Sequence, residues 1–397
     1  MSTLEGRPAT VTTGWYGAAD CTLADFREIV EQTTRLADFA HADAVVENVL
    51  IYGTRLADHI ADPTKRRAVQ VELAEALLRG PGIVVFKHAF ARPVVDAATE
   101  AFDRLIAEQK AAGAVTGDHF AKPGANDRVW GALDKLAVAD PALFVSYYSN
   151  DVLALVSEAW LGPNYQVTSQ VNVVNPGGQA QVAHRDYHLG FMDRAQAEAY
   201  PAQVHALSPA LTLQGAVAHV DMPVETGPTL YLPHSQKYGP GYVAYHDPAF
   251  TEYFEGHYVQ LPLEKGDAVF FNPALFHGAG TNRTTDVRRM ANLLQVSSAF
   301  GRAMETVDTA AICTAVFPVL LRRKAEGAGS AELAAVVTAA AEGYAFPTNL
   351  DLDQPVGSLA PQSQADLLRL ALDEGWEMER FTAALDAQQD RRRSQVG

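Results

Sequence analysis

The spacing of apolar positions changes character twice along the chain. Within residues 1–66, segments 23–40 and 42–60 carry apolar side chains three and four apart, which predicts helices packed on a larger body. Residues 67–78 continue as a helix and are stopped by Gly80-Pro81-Gly82; the β-branched run Ile83-Val84-Val85-Phe86 then suits a short buried strand. A further helix has Pro93 in its first turn, where no N–H is needed, and Val95, Ala98, Phe102, Leu105 and Ile106 as its apolar stripe. Residues 113–133 show no period and read as a crossover or a site wall. One or two helices follow over 141–161. From Tyr165 the texture becomes short runs of Val, Thr and aromatic residues between Pro, Gly, Asn and Asp, over 165–175, 181–191, 211–221, 228–233, 257–262, 267–272 and 287–299. Such strands with turns between them predict a sandwich or jelly roll, not βαβ units. After Phe300 helical spacing returns (303–323, 331–343, 363–388), ending in a basic tail, Arg391, Arg392 and Arg393, expected to fray.

These patterns give a mainly β core with flanking α: an N-terminal helical extension (1–66), a β domain with supporting helices (67–301) and a C-terminal helical extension (302–397). With no internal repeat or low-complexity linker, the helices are expected to wrap a single β core, the two extensions serving as a lid or a homodimer interface. The longest apolar stretches, such as 310–321, fall short of the ~20 residues that cross a bilayer. Composition narrows the partners. With 31 Lys plus Arg against 47 Asp plus Glu the net charge is −16, which disfavours nucleic acid and anionic lipid. Cys21 and Cys313 cannot make a disulfide framework and are expected as free buried thiols, and the first residues lack the basic-then-apolar run of a secretory signal, so a cytoplasmic location is expected.

The chemistry concentrates in Gln181-Val182-Ala183-His184-Arg185-Asp186-Tyr187-His188. On a strand, positions i and i+2 share a face, so His184 and Asp186 can converge, while His277 follows a strand and a turn much later in the chain. Two neutral imidazoles and one carboxylate form the facial triad that holds Fe(II) and leaves positions open for a cosubstrate and O₂; zinc in a hydrolase takes similar ligands. A strand starting near Val287 returns an arginine toward that point, where it can hold the far carboxylate of a dicarboxylate such as 2-oxoglutarate; Arg288 is preferred over its neighbour Arg289, with Arg283 third. Gln170 and Asn172 share a face and face either that cosubstrate or the outside of the sheet; Thr212 and Gln214 make a second such pair. Lys122, Arg128 and Trp130 are candidates to line the mouth and contact substrate, as is His188, two beyond Asp186 if the strand continues. Arg185 and Tyr187 flank the ligands, and His219 and His234 are assigned structural roles.

In order, His-x-Asp, Glu225-Thr226-Gly227-Pro228, Leu232-Pro233-His234-Ser235-Gln236-Lys237, Lys265-Gly266-Asp267-Ala268-Val269-Phe270-Phe271, His277-Gly278-Ala279-Gly280 with Asn282, and Arg288 resemble the phytanoyl-CoA dioxygenase family over roughly 80–301. The resemblance implies a double-stranded β-helix, iron on His184, Asp186 and His277, and 2-oxoglutarate anchored by Arg288. It also implies a dioxygenase that releases succinate and CO₂ while oxidising a small organic substrate by C–H abstraction, with O₂ consumed and ascorbate as a stimulating reductant. Two departures from the family pattern bear on the site. Ala279 replaces a residue that often carries a hydroxyl, so that contact must come from elsewhere, and Asp186 as third ligand leaves no halide position, favouring hydroxylation over halogenation. A third, Pro233-His234-Ser235-Gln236 in place of Pro-Gly-Ser-His, alters a turn. The rival readings are a cupin-type hydrolase or isomerase on zinc or manganese and a non-catalytic ligand-binding barrel; neither requires 2-oxoglutarate.

Overall fold

The computed structural model describes residues 14–53, 55–113 and 125–394. Ten strands occur among them: β1 (Ala44–Val46), β2 (Val49–Tyr52), β3 (Ile83–Phe86), β4 (Asn126–Val129), β5 (Gln166–Val174), β6 (Thr212–Ala218), β7 (Leu230–Leu232), β8 (Ala268–Phe271), β9 (Phe276–Gly278) and β10 (Arg289–Ser297). Eight of them build one sheet in the order β1-β2-β3-β8-β6-β10-β5-β4, antiparallel except for β2 on β3, and β7 pairs with β9 as a separate ribbon. Helices occupy more of the chain than strands, so the fold is less β-rich than its sequence pattern suggested.

The period of two sorts the side chains of the large sheet. Val167, Val171, Val173, Leu213, Val217, Phe270, Met290, Leu294 and Val296 are buried in a continuous core with the helices on one face. On the opposite face Gln170, Asn172, Gln214, Arg289, Ala291, Leu293 and Gln295 line a cavity toward the β7–β9 ribbon. The turn into β8 is drawn tight around Asp267. Its fully buried carboxylate accepts from Lys87 Nζ at 2.5 Å and from the backbone N–H of His88 and Glu264 at 2.8 Å. Gly266 beside it has φ +92°, and a Cβ there would lie 2.4 Å from the Phe90 carbonyl oxygen.

The N-terminal segment departs from the helical expectation. Among its described residues Leu23–Val30, Leu56–Ala61 and the start of Pro63–Leu78 are α-helical, with 3₁₀ turns at Ala18–Asp20 and Leu36–Asp38, and 42–60 contains the β1–β2 hairpin, turned by Glu47 and Asn48 at positive φ. Val45, Val46, Val49, Leu50 and Ile51 are β-branched or apolar on both sides of that turn, a composition that suits an added strand pair better than a helix. The C-terminal part is no appendage either. Ile312, Cys313, Val316, Phe317 and Leu320 of Thr309–Ala325 join the main core, so the boundary expected at 301 cuts through packed structure. The expected helix 363–388 is two, Gln364–Glu374 and Met378–Arg392, and the basic tail is pinned: Arg391 pairs with Asp353 at 3.3 Å and Arg392 with Glu342 at 2.5 Å. Cys313 is buried and Cys21 only partly so; both are free. No helix among the described residues is long and apolar enough to cross a membrane.

A polar chain ties the helices to the sheet. Thr99 donates to the Val95 carbonyl, so its oxygen accepts from His219 Nδ1 at 2.9 Å; the Tyr147 hydroxyl then donates to Nε2 at 2.9 Å and accepts from Asn292 Nδ2 at 3.2 Å, and Asn292 Oδ1 accepts from Ser169 at 2.6 Å. This order of donors leaves His219 neutral, protonated on Nδ1. Burial lowers its pKa to about 3, and burial with the nearby charge of Lys237 lowers that of His234 to about 4. The stability each contributes is complete above the unfolded value near 6.5 and is lost as pH falls toward the folded value, at ~1.4 kcal/mol per pH unit per histidine. Urea denaturation between pH 7 and 4 should therefore show a steep fall in wild type, and His219→Leu should flatten that slope by close to one proton while lowering stability at pH 7. An unchanged slope refutes the assignment.

A candidate metal centre beside the cavity

Residues 181–187 form no regular strand; a single bridge fixes them to β9. His184 N–H donates to the His277 carbonyl at 3.0 Å and His277 N–H to that of His184 at 3.1 Å, while Asp186 N–H donates to the Pro273 carbonyl at 3.0 Å. The two imidazoles therefore stand side by side, centroids 4.5 Å apart. Each Nδ1 lies within hydrogen-bond distance of the carbonyl two residues earlier, Val182 for His184 at 2.8 Å and Leu275 for His277 at 2.9 Å. Such bonds place the proton on Nδ1 and turn the Nε2 lone pair toward the shared point. Asp186 completes it, Oδ2 3.3 Å from His277 Nε2 and Oδ1 3.7 Å from His184 Nε2. The three ligand atoms lie within 4.8 Å of one another, and these residues are the one such group of three among the described residues. Metal–ligand bonds of roughly 2.0–2.2 Å put donors of one ion about 3 Å apart at right angles, so the separations fit a single divalent cation.

Burial opposes ionisation of Asp186, but the proximity of the two imidazoles and the hydrogen bond from Gln214 outweigh it and hold the carboxyl below its usual range. Burial, then the proximity of His277, lowers the pKa of His184 and favours the neutral, ligating form. Gln214 Nε2 donates to Asp186 Oδ2 at 2.5 Å. This contact comes from the second polar pair, Thr212 and Gln214 on β6.

A cavity of about 1500 Å³ opens from the triad. Arg289 lies at one end of it, only 7% exposed, its Nη1 donating to the carbonyls of Thr226 at 3.3 Å and Gly280 at 3.2 Å. It has no carboxylate partner among the described residues, and burial lowers its pKa to about 10. The expectation for Arg288 fails. Its side chain is 49% exposed and pairs with Asp103 at 3.5 Å and Asp127 at 3.8 Å on the far side. The reason is parity. The ladder begins with Arg289 opposite Val174, so 289, 291, 293 and 295 face inward and 288 faces out.

Gln170 and Asn172 both face the cavity. Gln170 Nε2 donates to Glu305 Oε2 at 3.2 Å, whereas Asn172 Oδ1 is buried with no hydrogen-bond partner among the described residues. Arg128 and Trp130 line the wall, the guanidinium 4.5 Å from the ring centroid, and Lys122 lies outside the described residues. His188 does not reach the cavity. Tyr187 and His188 at positive φ turn the chain away from an extended path, and His188 Nδ1 meets Ser208 Oγ at 3.1 Å. Sequence reasoning missed Thr229, Tyr231, Gln295, Met304 and Glu305 as cavity residues. The inward parity of β10 identifies Gln295 once Arg289 is placed; Met304 and Glu305 lie beyond the expected domain boundary and carried no local signal.

The family model for phytanoyl-CoA dioxygenase matches residues 78–290, more than half of the chain. Among curated proteins, the dioxygenase cdmD of Talaromyces verruculosus is 33% identical over 119 residues, 29% of this chain and 34% of that protein. The dioxygenase trt7 of Aspergillus terreus is 29% identical over 128 residues, 32% of this chain and 39% of that protein. The chain thus aligns with little more than a third of the length of these relatives. Among solved structures, the epimerase SnoN in complex with Fe³⁺, α-ketoglutarate and nogalamycin RO aligns at TM-score 0.38 and 20% identity, over 60% of this chain and 85% of that one. The family match spans β3 to the start of β10, with all three candidate ligands and Arg289 inside it, and the chain belongs to the phytanoyl-CoA dioxygenase family.

Proposed function

We propose that this chain is an Fe(II)- and 2-oxoglutarate-dependent dioxygenase, built on a double-stranded β-helix formed by the large sheet and the β7–β9 ribbon, that oxidises a small organic substrate. One observation carries the reading: a two-histidine, one-carboxylate cluster and a buried guanidinium without a carboxylate partner among the described residues border the same cavity. The donor set fits a ferrous ion, with His184, Asp186 and His277 holding one face of it. When bound, iron and 2-oxoglutarate supply an O₂-derived oxidant that abstracts hydrogen from a C–H bond, with release of succinate and CO₂.

The protein's own part is placement. Arg289 holds the far carboxylate of 2-oxoglutarate in a dry, apolar setting of Val269, Phe271, Leu261 and Ala291, where a charge-assisted bond is strong. Thr229 and Tyr231 supply the hydroxyl that Ala279 lacks. Both line the cavity, and Thr229 sits one step beyond the Leu230–Gly278 pair, directly across the ribbon from Ala279. Gln214 keeps Asp186 ionised and oriented. The remaining space, walled by Trp130, Phe191, Met192, Tyr245 and Met304, suits a bulky and largely apolar substrate, with Glu305 as a hydrogen-bond acceptor. The volume exceeds the ~300–1,000 Å³ of an ordinary ligand pocket, leaving ample room beside the cosubstrate.

Anaerobic loading with Fe(II) and 2-oxoglutarate followed by oxygen should release succinate, and a panel of candidate substrates should yield a product one oxygen heavier by mass spectrometry. Turnover of any substrate with zinc or manganese and without 2-oxoglutarate would replace this reading with the hydrolase or isomerase one.

A further inference from the structure

Between the two ligands of the His-x-Asp segment lies Arg185, a guanidinium that is 1% exposed and has no carboxylate within ion-pair distance among the described residues. A buried cation normally requires an anion. Here Nη2 donates to the carbonyls of Ser235 at 2.5 Å and Tyr238 at 3.0 Å, and the group lies against two rings, Cζ 5.1 Å from the centroid of Tyr242 and 5.1 Å from that of Phe276. Space for it is reserved by Gly241, where a Cβ would fall 1.9 Å from the guanidinium carbon. Each contact leads back to a ligand. Phe276 precedes His277, the Tyr242 hydroxyl donates to the Asp186 carbonyl at 3.2 Å, and Arg185 itself joins His184 to Asp186. The segment 181–187 has no strand ladder of its own; isolated bonds from Gln181 to Ala279, between His184 and His277, and from Asp186 to Pro273 tie it to the β9 side, and the Arg185 contacts tie it to 235–242.

The geometry points to Arg185 as a positioning residue for the metal centre: one buried cation clamps the His184–Asp186 segment, the strand carrying His277 and the segment 235–242 into a single arrangement of donors. Lysine reproduces this only in part, since its ammonium can donate to two carbonyls but has no planar faces to lie against two rings. The inference rests on the ligand assignment proposed above.

The test is anaerobic titration of the full chain with Fe(II) alone, read as a dissociation constant, beside urea denaturation and the visible spectrum of the Co(II)-substituted protein. Arg185→Met should weaken Fe(II) binding about 10- to 100-fold, the range for residues that orient metal ligands, and alter the Co(II) spectrum. Gly241→Ala, which displaces the guanidinium from the other side, should do the same, and Arg185→Lys should recover about 3-fold of the loss. His219→Leu provides the comparison, destabilising the fold while leaving Fe(II) affinity within about 2-fold. Should Arg185→Met fail to fold, Gly241→Ala and Arg185→Lys carry the measurement. Wild-type affinity and an unchanged Co(II) spectrum in those variants, or a loss matched by His219→Leu, overturns the inference. Failure of the wild-type chain to bind Fe(II) overturns the ligand assignment and this inference with it.

Discussion

Replacing His277 with alanine should lower 2-oxoglutarate-dependent succinate formation by more than about 1,000-fold, because a three-donor site that loses one imidazole binds iron poorly and cannot keep the remaining positions in order. His184→Ala and Asp186→Ala should behave alike, with bound iron per chain falling in parallel. His257→Ala is the control. Its imidazole meets the Tyr253 backbone and ring at the end of the helix Pro248–His257 and does not line the cavity, and turnover should stay within about 2-fold. Succinate quantified by NMR together with iron per chain decides the matter: full iron and turnover in His277→Ala means the imidazole is a buried structural group and the cluster a coincidence of packing.

The second large effect separates adjacent arginines. Arg289→Leu should raise the KM for 2-oxoglutarate about 100-fold, the equivalent of roughly 3 kcal/mol for a bidentate charge-assisted pair in a dry pocket. Arg288→Leu should leave it within about 2-fold, since the half-exposed Arg288 pairs with Asp103 and Asp127 and does not line the cavity. Arg289→Lys should fall between, keeping the charge without the fork. Steady-state kinetics against 2-oxoglutarate at saturating Fe(II) reads all three. Equal defects in Arg288→Leu and Arg289→Leu would show that the phenotype reflects strand stability and not anion binding.

The contrast between these neighbours shows where sequence reasoning stopped. Which of the two faces inward depends on where β10 begins, and that register is set by the long-range pairing of Arg289 with Val174 across the sheet, not by anything local to residues 287–290. His188 failed for a related reason. The i, i+2 rule holds only while the chain stays extended, and Tyr187 and His188 adopt positive φ as soon as Asp186 has been placed. The hairpin at 44–52 was hidden because short apolar runs fit both periods, and its parallel edge on β3 is a long-range partner. Gln214 went undervalued because its importance lies in the carboxylate it touches, 28 residues earlier.

By itself the sequence determined the chemical inventory and the class of core. It contains a His-x-Asp pair and a later His, an arginine pair beyond it, alternating strands from Tyr165, and the motif order of the family, because these depend on residue type and local spacing. The tertiary structure decided which side chains meet. Only the bridge from 184 to β9 brings His277 to His184, only strand parity selects Arg289, and only packing makes Arg185 a buried cation among rings and carbonyls. The physical reason is that ligation, burial and anion binding act over a few ångströms, while the residues concerned lie tens of positions apart and are brought together by pairing energies that no single segment encodes.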